Sequence, residues 1–114
     1  MSDERAKTHV KGIESALDRV TKLRGVSYSL KGEERQGGPA RLGLIAQEVQ
    51  KVVPEAVTSR EEGAGISYST FVPLLVEAVK ELKDQVAALQ REVKALSTAA
   101  RPPRARATKK KAKP

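Results

Sequence analysis

The sequence predicts an α+β fold: an N-terminal helix, a small β-hairpin or strand region that includes a short helix, and a long C-terminal helix. Three patterns predict it. Apolar residues recur every three or four positions over residues 10–23, apolar and polar residues alternate over residues 26–30, and apolar residues recur at alternating steps of four and three over residues 75–96. The first and third spacings are typical of helices, and the second is typical of a strand.

The first helix is predicted over residues 10–23, with Gly25 as the residue that stops it. Residues 26–30 then alternate as a half-buried strand does. The glycines and the proline of residues 31–41 predict a loop. The helical stripe is narrow and consists of Val10, Ile13, Leu17, Val20 and Leu23.

A short amphipathic helix is predicted over residues 44–53, opened by Gly43 and stopped by Pro54. The residue before a proline is disfavoured in the helical region, so this helix should end at Val53. Two short strands are then predicted, at residues 56–58 and 65–68. The glycine-containing stretch between them suits a hairpin turn over residues 61–65.

The last helix is predicted over residues 70–98, with Ser69 or Thr70 as its N-cap and with Pro73 tolerated in the first turn. Its apolar seam has valine at one core position of a heptad and leucine at the other, as coiled coils do. A lone helix would leave this seam in water, so the seam should pack against copies of the chain or against its own globular part. The seam consists of Leu75, Val79, Leu82, Val86, Leu89, Val93 and Leu96.

Composition limits the kind of protein this can be. The 114 residues include only three aromatics, so a single chain has a thin core, and oligomerisation is the natural remedy. There is no cysteine and one histidine, which speaks against disulfides and against thiolate or histidine metal sites. We therefore expect no metal and no cofactor. No apolar run approaches the roughly 20 residues that cross a bilayer, so no membrane partner is expected.

The net charge of +8 comes almost entirely from the C-terminal tail. Residues 99–114 carry seven Lys or Arg and no acid, while residues 1–98 hold the other 15 and all 14 acids. The tail has no large apolar residue and three prolines, so we expect it to be disordered. Its polyanion-binding candidates are Arg101, Arg104, Arg106, Lys109, Lys110, Lys111 and Lys113.

Three segments resemble one known family. Residues 42–57 read LGLIAQEVQKVVPEAV, residues 2–7 read SDERAK, and residues 68–82 read YSTFVPLLVEAVKEL. Taken in the order in which they occur along the chain, they resemble the C-terminal intramolecular chaperone domain of phage tail spikes and fibres, the endosialidase type. The same domain occurs in a self-cleaving, membrane-bound transcription factor of the myelin-regulatory type. The resemblance accounts for residues 2 to about 97 and leaves the tail unmatched.

The resemblance implies a homotrimer that brings an upstream fibre or spike segment into register in cis and is then released by cleavage of its own chain. It implies Ser2 as the nucleophile, Lys7 as the general base and the bond between Met1 and Ser2 as the scissile bond. A lysine can serve as the base when it is uncharged. The number of strands stays open at this point, because valine and leucine alternating in a seam favour two strands in isolated parallel coils.

Only Met1 precedes Ser2, so we expect cleavage in this chain to be spent or vestigial, with no activity on other proteins. We expect His9 to be solvated. Asp3 and Arg5 should pair with each other or hold the N-terminal segment at a subunit boundary. Gln47 and Glu48 of the short helix should make surface or inter-subunit hydrogen bonds. The domains predicted are a chaperone module over residues 1–98, with its coiled-coil helix over 70–98, and the tail over 99–114. The module should assemble in the cytoplasm and associate with a virion or prophage.

An alternative function is a small coiled-coil protein that binds DNA or RNA through its basic tail. The absence of aromatics from the tail would make such binding nonspecific. Removal of residues 99–114 distinguishes the two hypotheses, because it should leave oligomerisation intact under the first and abolish the main activity under the second.

Overall fold

The structure is a computed structural model that describes residues 1–33, 37 and 40–100. The chain divides into two units, Met1–Glu81 and Leu82–Pro114. The basic tail is predicted from residue 99, but residues 99 and 100 belong to the last helix; the polyanion-binding candidates lie outside the described residues.

The described elements confirm the α+β class. Three helices and four strands follow one another along the chain, and the last helix is by far the longest at 30 residues. Three-residue 3-10 turns lie at Glu4–Ala6, Pro54–Ala56 and Tyr68–Thr70. The elements are α1 (Ala16–Thr21), β1 (Val26–Tyr28), β2 (Arg41–Gly43), α2 (Ala46–Val52), β3 (Val57–Arg60), β4 (Gly63–Ile66) and α3 (Phe71–Ala100).

Helix α1 is shorter than the stripe of residues 10–23 predicts. Ser15 takes a left-handed conformation with φ of 56°, which interrupts any helix that would enter from residue 14. Residues 1–15 are all exposed, so Val10 has no apolar surface to cover. Leu17 and Leu23, in contrast, pack against the core. Helical spacing is therefore a correct signal only where the side chains find a partner.

The first strand pair is only half predicted by the sequence. β1 lies within the predicted residues 26–30, but its partner β2 falls where the sequence predicts a loop and the start of a helix. The two strands are antiparallel, with Val26 opposite Gly43 and Tyr28 opposite Arg41. Gly43 thus ends β2 and does not open α2. A three-residue strand is too short to show alternation, which explains why the sequence pattern does not reveal it.

Helix α2 and the second strand pair lie close to their predicted places. α2 ends at Val52, and Pro54 begins the 3-10 turn that follows, as the restriction before proline predicts. β3 and β4 form an antiparallel hairpin in which Val57 lies opposite Ile66. Gly63 has φ of 134°, a conformation that side chains disfavour, and it begins β4 directly after the turn.

The core of the first unit is small. Among its described residues seven are buried, and they lie at the start of α1, in and directly after α2, and on the first two turns of α3. Three of the seven are alanines, so elements approach closely but bury little apolar volume. The buried residues are Ala16, Val49, Val53, Ala56, Phe71, Leu74 and Ala78.

Two tyrosines close on Gly43 at the point where β2 leads towards α2. The backbone N–H of Leu44 donates to the Tyr68 hydroxyl oxygen at 3.0 Å. A Cβ at Gly43 would lie 2.8 Å from that oxygen and 3.1 Å from Cε1 of Tyr28, closer than side chains tolerate. The absence of a side chain at residue 43 therefore allows the strand pair to sit against the residues that lead into α3.

Gly43→Ala should lower the melting temperature of the protein. The added methyl must displace one of two rigid rings or break the Leu44–Tyr68 hydrogen bond, and overpacking of this kind costs about 1–3 kcal/mol. Gly25→Ala is the matched control, because a methyl added at Gly25 would meet no atom within 4 Å and the φ of Gly25 is not left-handed. Thermal unfolding followed by circular dichroism checks this; equal melting temperatures for the two variants would contradict the steric explanation.

Candidate functional site

Helix α3 presents one apolar face to the core and another to solvent. In the first unit, Phe71, Leu74 and Ala78 are buried, at steps of three and four along the helix. Leu75 and Val79 each lie one position further along and point elsewhere, since both are exposed. At Leu75 and Val79 the seam is therefore not covered by the globular part of the same unit. The sequence left this packing open beside association with copies of the chain.

The same seam continues through the described part of the second unit. The predicted seam residues of both units are each between 45% and 69% exposed. Val72 lies three positions before Leu75 and continues the seam, Val76 lies beside it, and both are exposed. A single chain thus leaves apolar residues in water along nearly the whole helix, and burying them would be favourable at about 25 cal/mol per Å².

The segment that carries Ser2 and Lys7 is held by a local turn. Asp3 caps the 3-10 turn Glu4–Ala6 by accepting from the Arg5 backbone N–H at 2.8 Å. The Arg5 guanidinium binds the same carboxylate through two contacts, at 2.8 and 3.2 Å. The side-chain hydrogen bond from Arg5 lowers the pKa of Asp3, and the backbone bond acts in the same direction. The expected pairing of these two residues is confirmed.

Ser2 and Lys7 lie on either side of this turn, and both are exposed. Within the described residues neither side chain makes a hydrogen bond, so the single chain does not join them into a dyad. The Lys7 backbone N–H donates to the Glu4 carbonyl at 3.1 Å and so closes the turn. The assignment of Ser2 and Lys7 as catalytic residues stays a prediction. His9 is exposed and has φ of 53°, a left-handed conformation that few non-glycine residues adopt.

Ion pairs that the sequence does not reveal tie α1 and the residues after it to α2 and the turn that follows. Arg24 binds the Glu48 carboxylate through two contacts, at 2.7 and 3.2 Å. Arg19 binds the Glu55 carboxylate at 2.6 Å and donates to the Val52 carbonyl oxygen at 3.2 Å. Glu48 lies on a polar surface as expected, but no local pattern indicates which cation it meets 24 residues away.

The sequence does contain a signal for one further polar contact, that of Glu81 with helix α1. The Glu81 carboxylate accepts from the Leu17 backbone N–H at 2.5 Å, so an acid of α3 reaches the first turn of α1. The steps from Phe71 to Leu74 and Ala78 lead next to residue 81, where a core-facing helix would carry an apolar residue. A partly buried acid at such a position indicates a specific partner.

Residues 2–58 match the model of the family described as chaperone of endosialidase. The chain belongs to that family. The match begins at Ser2 and includes both Lys7 and helix α2.

Curated relatives are long tail fibre proteins of phages. The chain is 43% identical to the long tail fiber protein Gp37 of Enterobacteria phage K3 over 97 residues, which is 78% of this chain and 8% of the relative. The Gp37 protein of Enterobacteria phage T2 is also 43% identical, over 78% of this chain and 7% of the relative. The Gp37 protein of Salmonella phage S16 is 29% identical, over 83% and 14% respectively. The chain thus spans less than a tenth of the length of the first two relatives.

Among the described helices, none combines the length and hydropathy that a membrane crossing needs.

The Arg24–Glu48 pair should make stability depend on pH. The hydrogen bond from Arg24 lowers the pKa of Glu48 from its usual value of 4.5. The stabilisation is therefore complete above pH 4.5 and is lost as the pH falls through the lower pKa of the folded state. Glu48→Gln should lower the melting temperature at pH 7, and the difference from the original chain should shrink as the pH falls below 4.5.

Glu62→Gln is the control for that titration, because Glu62 forms no ion pair within the described part of the chain and is exposed. Melting followed by circular dichroism at pH 7, 5, 4 and 3 gives the comparison. A Glu48→Gln effect that is the same at every pH would exclude the ion pair as its cause.

Proposed function

We propose that this chain is a chaperone module for a phage tail fibre: three copies associate through the exposed seam of α3 and hold three attached fibre chains together while those chains fold. The observation that carries the proposal is the seam, which the core of its own chain does not cover. We assign the module to residues 1–98, its coiled coil to residues 70–98 and a basic tail to residues 99–114. By this proposal the protein acts in cis on a fibre segment and associates with the virion.

The small core supports association as part of folding. The part of the chain that the structure describes has seven buried residues, three of them alanine, so one copy gains little from apolar burial. The exposed seam offers the additional burial, and α3 at 30 residues is about 45 Å long, enough for three heptads. The choice of three strands rests on the family, since a seam of valine and leucine by itself favours two.

Fibres of intertwined strands explain why such a module would be useful. Their contacts are non-local, so three separate chains must first meet, and loop closure makes non-local contacts slow to form. A module at one end that has already associated raises the effective concentration of the attached chains. Registration of the chains then precedes folding of the fibre.

We further propose that the module is released by autoproteolysis before Ser2, with Ser2 as nucleophile and Lys7 as general base. A lysine acts as a base only where burial or neighbouring cations lower its pKa. Lys7 is exposed in the single chain, as are all of residues 1–15. The proposal therefore requires a neighbouring copy to cover this segment, which would make cleavage depend on assembly.

The seam gives the first test. Light scattering at micromolar concentration should report about three chain masses. Leu82→Ala combined with Leu89→Ala should dissociate the assembly, because each large-to-small change at a buried position costs about 2–5 kcal/mol. Asp84→Ala combined with Arg91→Ala is the control: both residues are exposed, lie on the side of the helix away from the seam, and cancel in charge. A monomer for the original chain at this concentration would end the proposal.

Fusion to a fibre segment gives the test of autoproteolysis. A trimeric fibre segment placed before Ser2 should be cut at that residue, as mass spectrometry of the products would show. Ser2→Ala and Lys7→Ala should each stop the cut. Lys7→Arg should stop it too, because arginine stays protonated and cannot accept the proton.

Lys11→Ala is the control for the lysine variants, since Lys11 is an exposed lysine of the same segment. Its fusion should be cut at the normal rate. Normal cutting by Lys7→Arg would exclude lysine as the base, and cutting that persists in the Leu82/Leu89 double variant would exclude the dependence on assembly.

A further inference from the structure

The first turn of α1 has no cap of its own. Ser15 occupies the N-cap position, but its backbone is left-handed and its side chain makes no capping hydrogen bond. The first N–H groups of a helix have no partner within the helix and need an acceptor from elsewhere. Here the acceptor is Glu81 of α3, 64 residues away, whose Oε2 lies 2.5 Å from the Leu17 backbone nitrogen.

This contact is strong for its kind. Both residues are partly buried, and Ala16 directly before Leu17 is fully buried in the same cluster as Leu74 and Ala78. A carboxylate that accepts from a backbone N–H makes a charge-assisted hydrogen bond, and partial shielding from water strengthens it. Its negative charge also lies at the positive end of the α1 dipole. Glu81 therefore fixes the start of α1 to α3.

The start of α1 is also the end of the segment that carries Ser2 and Lys7. All of residues 1–15, the arm, are exposed, and residues 11–14 line an open depression of about 520 Å³ together with Arg19 and Glu55. The point at which this arm leaves the body is therefore determined by where α1 begins. On α3, Glu81 lies directly before Leu82 of the seam. One side chain thus connects the base of the arm to the helix through which copies associate.

We propose that Glu81 is a positioning residue for autoproteolysis. By capping α1 it sets the direction, relative to α3, in which the arm with Ser2 and Lys7 leaves the start of α1, and so presents the arm to the neighbouring copy. The inference rests on the proposed function. Glu81 touches neither the scissile bond nor the two catalytic candidates, and it acts only through α1. Loss of the cap leaves the seam and the buried cluster in place but leaves the arm in a range of directions.

The test compares three variants in the fibre fusion that is used for autoproteolysis. Glu81→Ala removes the acceptor, and Glu81→Gln keeps an oxygen of the same reach. Glu77→Ala is the matched control, because Glu77 is one turn earlier on the same helix and its carboxylate pairs only with Lys80 of that helix within the described residues. Each variant is measured for its cleavage rate, for its mass by light scattering, and for hydrogen exchange of the peptide that contains Leu17.

Glu81→Ala should slow cleavage about tenfold to a hundredfold, the range expected for a reacting group displaced by about 1 Å. It should keep the mass of the assembly and speed hydrogen exchange at the start of α1. Glu81→Gln should restore most of the rate, and Glu77→Ala should match the original chain. This pattern separates positioning from general stability, since a merely structural residue would lower assembly and cleavage together.

Four results would overturn the inference. Normal cleavage by Glu81→Ala would show that the cap does not position the arm, and loss of assembly in this variant would show a general structural role. Equal loss in Glu77→Ala would show that only the charge of the helix matters. If the original fusion is not cut at all, the proposed autoproteolysis fails and the positioning role fails with it, which is distinct from cutting that ignores Glu81.

Discussion

The use of two faces of α3 for two purposes constrains everything else in the molecule. One face, with Phe71, Leu74 and Ala78, completes the small core of its own chain, and the other stays exposed. Because the two faces are offset by a single residue, about 100° around the helix, the core that buries Leu74 and Ala78 leaves Leu75 and Val79 exposed. The core of the chain therefore leaves seam residues exposed, and further apolar burial can be gained only by association.

Longer patterns in the sequence predict the structure well, and shorter ones do not. The seam can be recognised because its pattern repeats over three heptads, and the short helix can be recognised because Pro54 bounds it. Residues 10–15 show helical spacing as well, but Val10 finds nothing to pack against and the left-handed Ser15 breaks the pattern. β2 has only three residues, so its existence depends on pairing with β1 and on the space at Gly43, neither of which is local.

The candidate site is predictable in identity but not in arrangement. Ser2 and Lys7 can be found from a motif, yet the single chain separates them by a 3-10 turn that Asp3 and Arg5 stabilise. Two contacts that hold the first unit together, from Arg24 to Glu48 and from Glu81 to the Leu17 backbone, join residues 24 and 64 positions apart. Single-sequence patterns carry information over one or two turns, so partners at these distances become visible only when the chain is folded.

The uniformity of the seam has a consequence for alignment. Its seven core positions hold only leucine and valine, with no polar residue that would identify one heptad from the next. Two such helices displaced by seven residues, about 10 Å along the axis, present nearly the same surface to each other. In the proposed trimer the seam therefore provides attraction without axial precision. The precision has to come from residues beside the seam on the first turns of α3, where the exposed Val76 widens the apolar surface. A module that aligns other chains would thus itself be aligned by side chains that lie outside its own repeat.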